Sequence, residues 1–273
     1  MLILNQTAKA ATNTPSQARP DATALAAQLR QNMQQLKGDF FAADGVNYRA
    51  MKAAAAYADF QSLSQQLQAV DLHELTTEAQ KLAFWINLYN VLVLDGILAL
   101  DVQHSVRDVP RFFGRVAYQV GSECFSLDNI EHGLLRRNSK VYWFQRRQFA
   151  AGDARRRWML TSLDPRIHFA LVCGAKSCPP IGVYQAERIE SQLELAASGF
   201  VNSDNVILDQ PRRRLSLSKI FAWYGPDFGT RPELLRWIAA RLHDPQQQAW
   251  LAENAHRVRL DWQNYDWRLN QLT

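Results

Sequence analysis

Cys178 stands first among the residues whose type and placement could do chemistry. It lies in a loop just beyond an apolar segment, beside Lys176 and Ser177, and a nearby cation lowers a thiol's pKa and raises its thiolate fraction. That placement predicts a nucleophile; the competing reading is a buried structural thiol, the usual fate of a free cysteine. Cys173, on the apolar face of the preceding segment, reads as structural. His132 is the natural base, because a short helix directly after a hairpin can aim it into a cleft. Adjacent helical residues diverge by about 100°, which favours a group from elsewhere over Glu131 as its orienting partner. His168 competes for the same role, with a core histidine as its alternative. Asn87 and Asn90, at i and i+3, put two amides on one face of an apolar helix, where they can tie down loops, orient a histidine or help hold an oxyanion. Trp85 and Tyr89, at i and i+4, read as core, with Trp85 available as a substrate platform.

Other chemistries are less well supported by the sequence. A metal site from Cys173, Cys178, His132 and His168 lacks the short hook and the second compact pair of a zinc site, so no metal is expected. Arg136-Arg137, Arg146-Arg147, Arg155-Arg156-Arg157 and Arg212-Arg213-Arg214, with Tyr142, Trp143, Phe144 and Trp158 interleaved, suggest an anionic surface partner. These clusters are scattered and carry no recognition motif, which argues against nucleic acid. No phosphate-cradling glycine loop, dinucleotide fingerprint or Gly-x-Ser-x-Gly elbow is present, so no cofactor is expected.

The chain that positions these residues has 273 residues, 47% hydrophobic and 21% charged, with 10 Pro and 12 Gly. That is ample for a large core and excludes a collagenous, disordered or disulfide-scaffold protein. The net charge of +5 rests on 24 Arg and 7 Lys against 26 acidic residues, a skew toward bidentate pairing with carboxylate or phosphate. Three cysteines leave at least one thiol unpaired, as in a reducing compartment. The N-terminus has neither a basic start nor a signal-length apolar run. These features predict a cytoplasmic chain. Residues 82–100 are apolar enough to raise the question of a membrane span, but Asn87, Tyr89, Asn90 and Asp95 interrupt them, which predicts a buried core helix rather than a transmembrane segment.

Residues 1–20 read as a disordered arm, followed by one domain over residues 21–273. Asp21 caps a helix ending near Gly38; one or two helices fill residues 48–70; and Thr77 to Gln80 form a capping box for a central helix reaching about Ala99. Residues 115–127 read as a hairpin, and Asp128 begins a short helix with Glu131 and His132. Residues 138–161 show no clear period. Residues 167–173 alternate well enough to predict a strand. A helix over 185–200, a hairpin around Pro211, helices from Pro232 and Pro245 and a strand at 258–260 complete an α+β fold. Its helix-rich N-terminal part packs on a small, mostly antiparallel sheet.

Taken together, Ala83-Phe84-Trp85-Ile86-Asn87-Leu88-Tyr89-Asn90, Leu127-Asp128-Asn129-Ile130-Glu131-His132-Gly133-Leu134-Leu135-Arg136 and Asp164-Pro165-Arg166-Ile167-His168-Phe169-Ala170-Leu171-Val172-Cys173-Gly174-Ala175-Lys176-Ser177-Cys178-Pro179-Pro180 resemble the family called domain of unknown function 547. Ile220-Phe221-Ala222-Trp223-Tyr224-Gly225-Pro226-Asp227-Phe228 is similar to its closing motif, so the resemblance spans about residues 48–228. It implies that Asn87, Glu131, His132 and the 176–180 loop belong to the motifs by which the family is recognised; it names no reaction.

An Asn, a His and a Cys in separate motifs match the residue types of a Cys-His-Asn hydrolase, although the chain order differs from papain's. The expectation is a thiol-dependent hydrolase or acyl transferase acting on an amide, peptide or thioester bond of a small molecule or peptide. Cys178 is its nucleophile, His132 its base, and Asn87 or Glu131 orients the imidazole. Backbone N–H groups near Lys176 and Ser177 serve as oxyanion donors, and His168 and Trp85 contact substrate. The alternative is a non-catalytic binding module whose Arg/Trp-rich surface docks a peptide or anionic partner.

Overall fold

The structure, a computed structural model, describes residues 1–6, 19–140 and 146–272. Its first residues do not form the loose arm expected over residues 1–20. β1 (Leu2–Ile3) pairs in parallel with β4 (Val116–Val120), and the buried Asn5 side chain holds it there. Asn5 donates to the carbonyls of Ser64 and Gln119 at 2.8 and 2.9 Å and accepts the Gln119 N–H at 2.9 Å. Residues 7–18 lie outside the described residues.

Asp21 accepts the Ala24 N–H at 2.7 Å and so starts α1 (Ala22–Phe40), since a capping carboxylate satisfies an N–H that the helix cannot. Leu25, Leu29, Met33 and Leu36 recur on its buried face. A hairpin of β2 (Phe41–Ala42) and β3 (Gly45–Val46) leads into α2 (Tyr48–Ala53) and α3 (Ala55–Gln66). The Thr77/Gln80 capping box begins α4 (Glu78–Ala99). α4 is apolar on every face, which requires burial on every face. It is long and apolar enough to cross a membrane, but 89% of its most apolar window is buried inside the fold. Its carboxyl, Asp95, accepts the hydroxyls of Tyr57 and Tyr118 at 2.6 and 2.7 Å. This is the core helix that the polar interruptions predicted.

After α5 (Phe112–Arg115), β4 and β5 (Glu123–Ser126) form the expected antiparallel hairpin. The short helix beyond it is a π-type turn, Asn129–Leu135, wider than an α-turn, with Arg136 N–H bonded to Glu131 O at 2.8 Å. Such wide turns recur at functional sites. Gly133 is needed within it because a Cβ there would stand 2.4 Å from the Phe149 ring.

Residues 167–173 are not a strand. Asp164 caps a 3₁₀ turn, Pro165–Phe169. The chain beyond is fastened by the Asn90 amide, which donates to Ala170 O at 2.9 Å and accepts the Val172 N–H at 3.0 Å. An Asp-Pro start is a helix signal, and a short apolar run buried on both sides has no period to read.

The remainder comprises α6 (Ile189–Val201), β6 (Val206–Asp209), β7 (Arg214–Leu217), α7 (Lys219–Trp223), α8 (Arg231–Ala239), α9 (Pro245–Asn254) and β8 (Arg259–Trp262). Among the described residues the strands form three small sheets rather than one, ordered β1-β4-β5, β2-β3 and β6-β7-β8. A large core surrounds α4 and a smaller one lies between α6, α8 and the third sheet. Ile167 and Ala170 belong to the first and Phe169 to the second, so the segment carrying His168 and Cys173 runs along the seam of one compact α+β unit.

Candidate active site

A cavity of about 200 Å³ opens at that seam. Its wall is assembled from Tyr89 of α4, Glu131 and His132 of the π-type turn, His168, Cys173 and Cys178 of the seam segment, Trp223 and Tyr224 at the end of α7, and Tyr265 and Trp267 near the C-terminus.

Glu131, buried, accepts the hydroxyls of Tyr224 at 2.6 Å and Tyr89 at 3.0 Å and lies 3.6 Å from His132 Nδ1. Burial alone would raise its pKa, but His132, the Tyr224 bond, His168 and Arg136 together hold it below the ordinary value. Behind it, Arg136 donates Nε and Nη2 to Asp227 at 2.6 and 2.9 Å and directs Nη1 at His132 Nδ1, 3.1 Å away. Asp227 also meets His168 Nε2 at 2.8 Å, and the His168 ring stacks on Tyr224 with centroids 3.9 Å apart. Burial works against the Asp227 carboxylate, yet its bonds from His168 and Arg136 bring its pKa down to about 2. Burial dominates at His168 and lowers its pKa despite the carboxylate beside it.

These contacts assign the ring protons. A guanidinium has no acceptor, so His132 Nδ1 accepts from Arg136, which leaves Nε2 as the ring nitrogen that carries a proton. At His168 the ionised Asp227 is the acceptor, so Nε2 carries the proton. His168 Nδ1 keeps its lone pair, with no hydrogen-bond partner among the described residues.

The two thiols occupy different environments. Gly174, at φ +77°, reverses the chain and lets the Cys173 N–H donate to Cys178 Sγ at 2.8 Å. Cys173 Sγ in turn lies 3.2 Å from the Tyr265 hydroxyl. Hydrogen bonding from the Cys178 thiol pulls the Cys173 pKa down, and the Tyr265 hydroxyl and Ala175 N–H reinforce it against burial. Burial pushes Cys178 well up. Of the two, Cys173, read from sequence as structural, is lowered by its partners, while Cys178, which accepts the Cys173 N–H, is raised by burial.

The seam brings Cys178, His132, Glu131 and His168 together but leaves other expected site residues elsewhere. Asn87 is spent on the Tyr184 backbone, donating at 2.8 Å and accepting at 2.9 Å, and lies outside the cavity wall. Trp85 is fully buried against Phe84 and Phe125. The N–H groups of Lys176 and Ser177 are not oxyanion donors, because they bond the carbonyls of Arg268 and Asp266. The exposed Lys176 side chain lines a second, wider cavity of about 540 Å³, and Ser177 Oγ accepts the Asp266 N–H at 2.9 Å. In the arginine clusters, Arg136 is buried, and Arg155, Arg212 and Arg214 pair with Asp153, Asp209 and Asp261. Tyr142, Trp143 and Phe144 lie outside the described residues. Among the described residues, no group of three or more His, Cys, Asp or Glu side chains is arranged to hold a metal.

Sequence reasoning placed Arg136 only in a surface arginine cluster and gave no site role to it, Tyr224, Asp227 or Tyr265. The first three stand inside the quoted motifs, the available signal. Tyr265 arrives from a segment that no motif marked.

Fold and site together define an α+β protein with a cluster of partly exposed thiols, imidazoles and a buried carboxylate at its seam. The model of a family described as "Protein of unknown function, DUF547" matches residues 72–201. That stretch holds α4, the hairpin, the π-type turn and both thiols, while Tyr224, Asp227 and Tyr265 come from beyond it. No curated protein and no solved structure matches the chain.

Proposed function

We propose that the seam cavity is the active site of a thiol-dependent hydrolase or acyl transferase, with Cys173 as nucleophile in place of Cys178. The observation that carries this reading is the Cys173 sulfur, 3.2 Å from the Tyr265 hydroxyl and lowered in pKa by its partners, in a cavity shared with two imidazoles. His168 Nδ1 takes the thiol proton, with Asp227 fixing its ring and Arg136 fixing Asp227. The sulfur then attacks the carbonyl carbon of an amide, peptide or thioester. His132 Nε2–H donates to the oxyanion that forms, a role in which a fixed donor is worth most. The leaving amine or thiol takes the proton back from His168, and water or a second acceptor releases the acyl group by the same steps reversed. Glu131, tied to two tyrosines and beside His132, positions that imidazole. A cavity of about 200 Å³ suits a small acyl group or a single peptide side chain. All three cysteines are unpaired, which supports a reducing compartment such as the cytoplasm.

The test is acyl trapping. The protein is incubated with short-chain nitrophenyl esters and thioesters, and peptide mass spectrometry locates the adduct. The expected result is acylation at Cys173 in the parent and in Cys178→Ala, and none in Cys173→Ala. An adduct confined to Cys178 or Cys124, or absent throughout, overturns the reading.

A further inference from the structure

A single nucleophile needs one thiol, and this cavity is lined by two. Cys173 and Cys178 both line it and both are partly exposed there. The Cys173 N–H reaches Cys178 Sγ at 2.8 Å, and the Cys178 N–H closes the loop on Ala175 O at 3.0 Å. The reversal depends on Gly174: a Cβ there would stand 2.7 Å from Ile97 Cδ1 at a positive φ that side chains avoid. The loop is thus built to keep these sulfurs adjacent. The third cysteine, Cys124 of β5, is outside the cavity wall.

We infer that Cys173 and Cys178 are a dithiol that a hydroperoxide oxidises to an intramolecular disulfide. The Cys173 thiolate attacks the terminal peroxide oxygen; an S–O bond forms, the O–O bond breaks, and the alkoxide or hydroxide leaves with a proton as alcohol or water. Sulfur gives up two electrons to the peroxide and becomes a sulfenic acid. Cys178 Sγ then attacks Cys173 Sγ, the S–S bond forms, the S–O bond breaks, and hydroxide leaves with the Cys178 proton as water. The Cys173 N–H already directed at Cys178 Sγ steadies the charge that builds on the attacking sulfur. An external thiol or dithiol restores both thiols by exchange. Disulfide formation does not depend on the acyl-transfer reading. Its consequence, that the oxidised site cannot be acylated, does.

The experiment treats the full chain with hydrogen peroxide, quenches in acid, and reads intact mass and linked peptides. The expected result is a loss of two hydrogens, a Cys173–Cys178 linked peptide, loss of alkylation at both residues, free Cys124, and reversal by dithiothreitol. In Cys178→Ser, dimedone should trap a sulfenic acid at Cys173. Persistent alkylation of both thiols, or oxidation of Cys173 to sulfinic acid with no linked peptide in the parent, overturns the inference. Since the readout is the covalent state of the sulfurs, it stands or falls separately from acyl trapping.

Discussion

The Arg136 guanidinium engages both oxygens of Asp227, at 2.6 and 2.9 Å, with each side chain almost wholly withdrawn from solvent. Arg136 caps the end of the π-type turn and the Gly225–Phe228 turn supplies the carboxylate, so this pair joins residues 72–201, the part that the family model matches, to the region beyond it. His132 and His168 lean on its two ends.

Removing one partner leaves the other charge buried without compensation. Arg136→Met should cost about 3–5 kcal/mol of unfolding free energy, measured by urea denaturation. Adding Asp227→Asn should recover part of that loss. A single-variant loss below about 1 kcal/mol would mean that the pair is solvated.

The same groups predict an acid-sensitive fold in two windows. His168 is held neutral by burial, its pKa below the ordinary 6.5, so the unfolded chain takes up the proton first and stability falls as pH drops below 6.5. Asp227 ionises down to about 2 in the fold against 3.8 when free. Its contribution, about 2 kcal/mol, is whole above 3.8 and is lost as pH falls through about 2. Denaturation across pH should show the first slope in the parent and not in His168→Asn, and a smaller loss below 3.8 in Asp227→Asn. A profile flat from neutral pH down to 3.8 contradicts the burial of a neutral His168.

The two amides of α4 should separate by effect. Asn90→Ala frees the backbone at Ala170 and Val172, ahead of Cys173, and Asn87→Ala frees the Tyr184 backbone. Each should lose about 1–3 kcal/mol of stability, but only Asn90→Ala should also slow alkylation of Cys173. Equal effects on the thiol would place Asn87 in the site after all.

The elements legible in the sequence were those with local signals. Asp21 and the Thr77/Gln80 box fixed the starts of α1 and α4, the alternation around Gly121 disclosed the β4–β5 hairpin, and Asp95 within α4 spoke for a core helix over a membrane span. What escaped was set by distant contacts. The 167–173 segment takes its shape from Asn90, roughly eighty residues earlier, and the pairing of residues 1–6 depends on β4. For the site, the motifs named His132, His168, Glu131 and both thiols; local sequence favoured Cys178, whereas the proposed function rests on Cys173. The cation beside Cys178 is exposed Lys176, whereas the hydroxyl beside Cys173 comes from Tyr265, 92 residues away.

The most direct test of the account is native alkylation with iodoacetamide across a pH series, with modification at Cys124, Cys173 and Cys178 read separately by peptide mass spectrometry. Cys173 should label first, with a midpoint below the free-thiol value of about 8.5, and Cys178 should stay slow until the fold is opened by denaturant. Faster labelling of Cys178, or equal rates at all three thiols, would contradict the assignment of Cys173 as the activated sulfur.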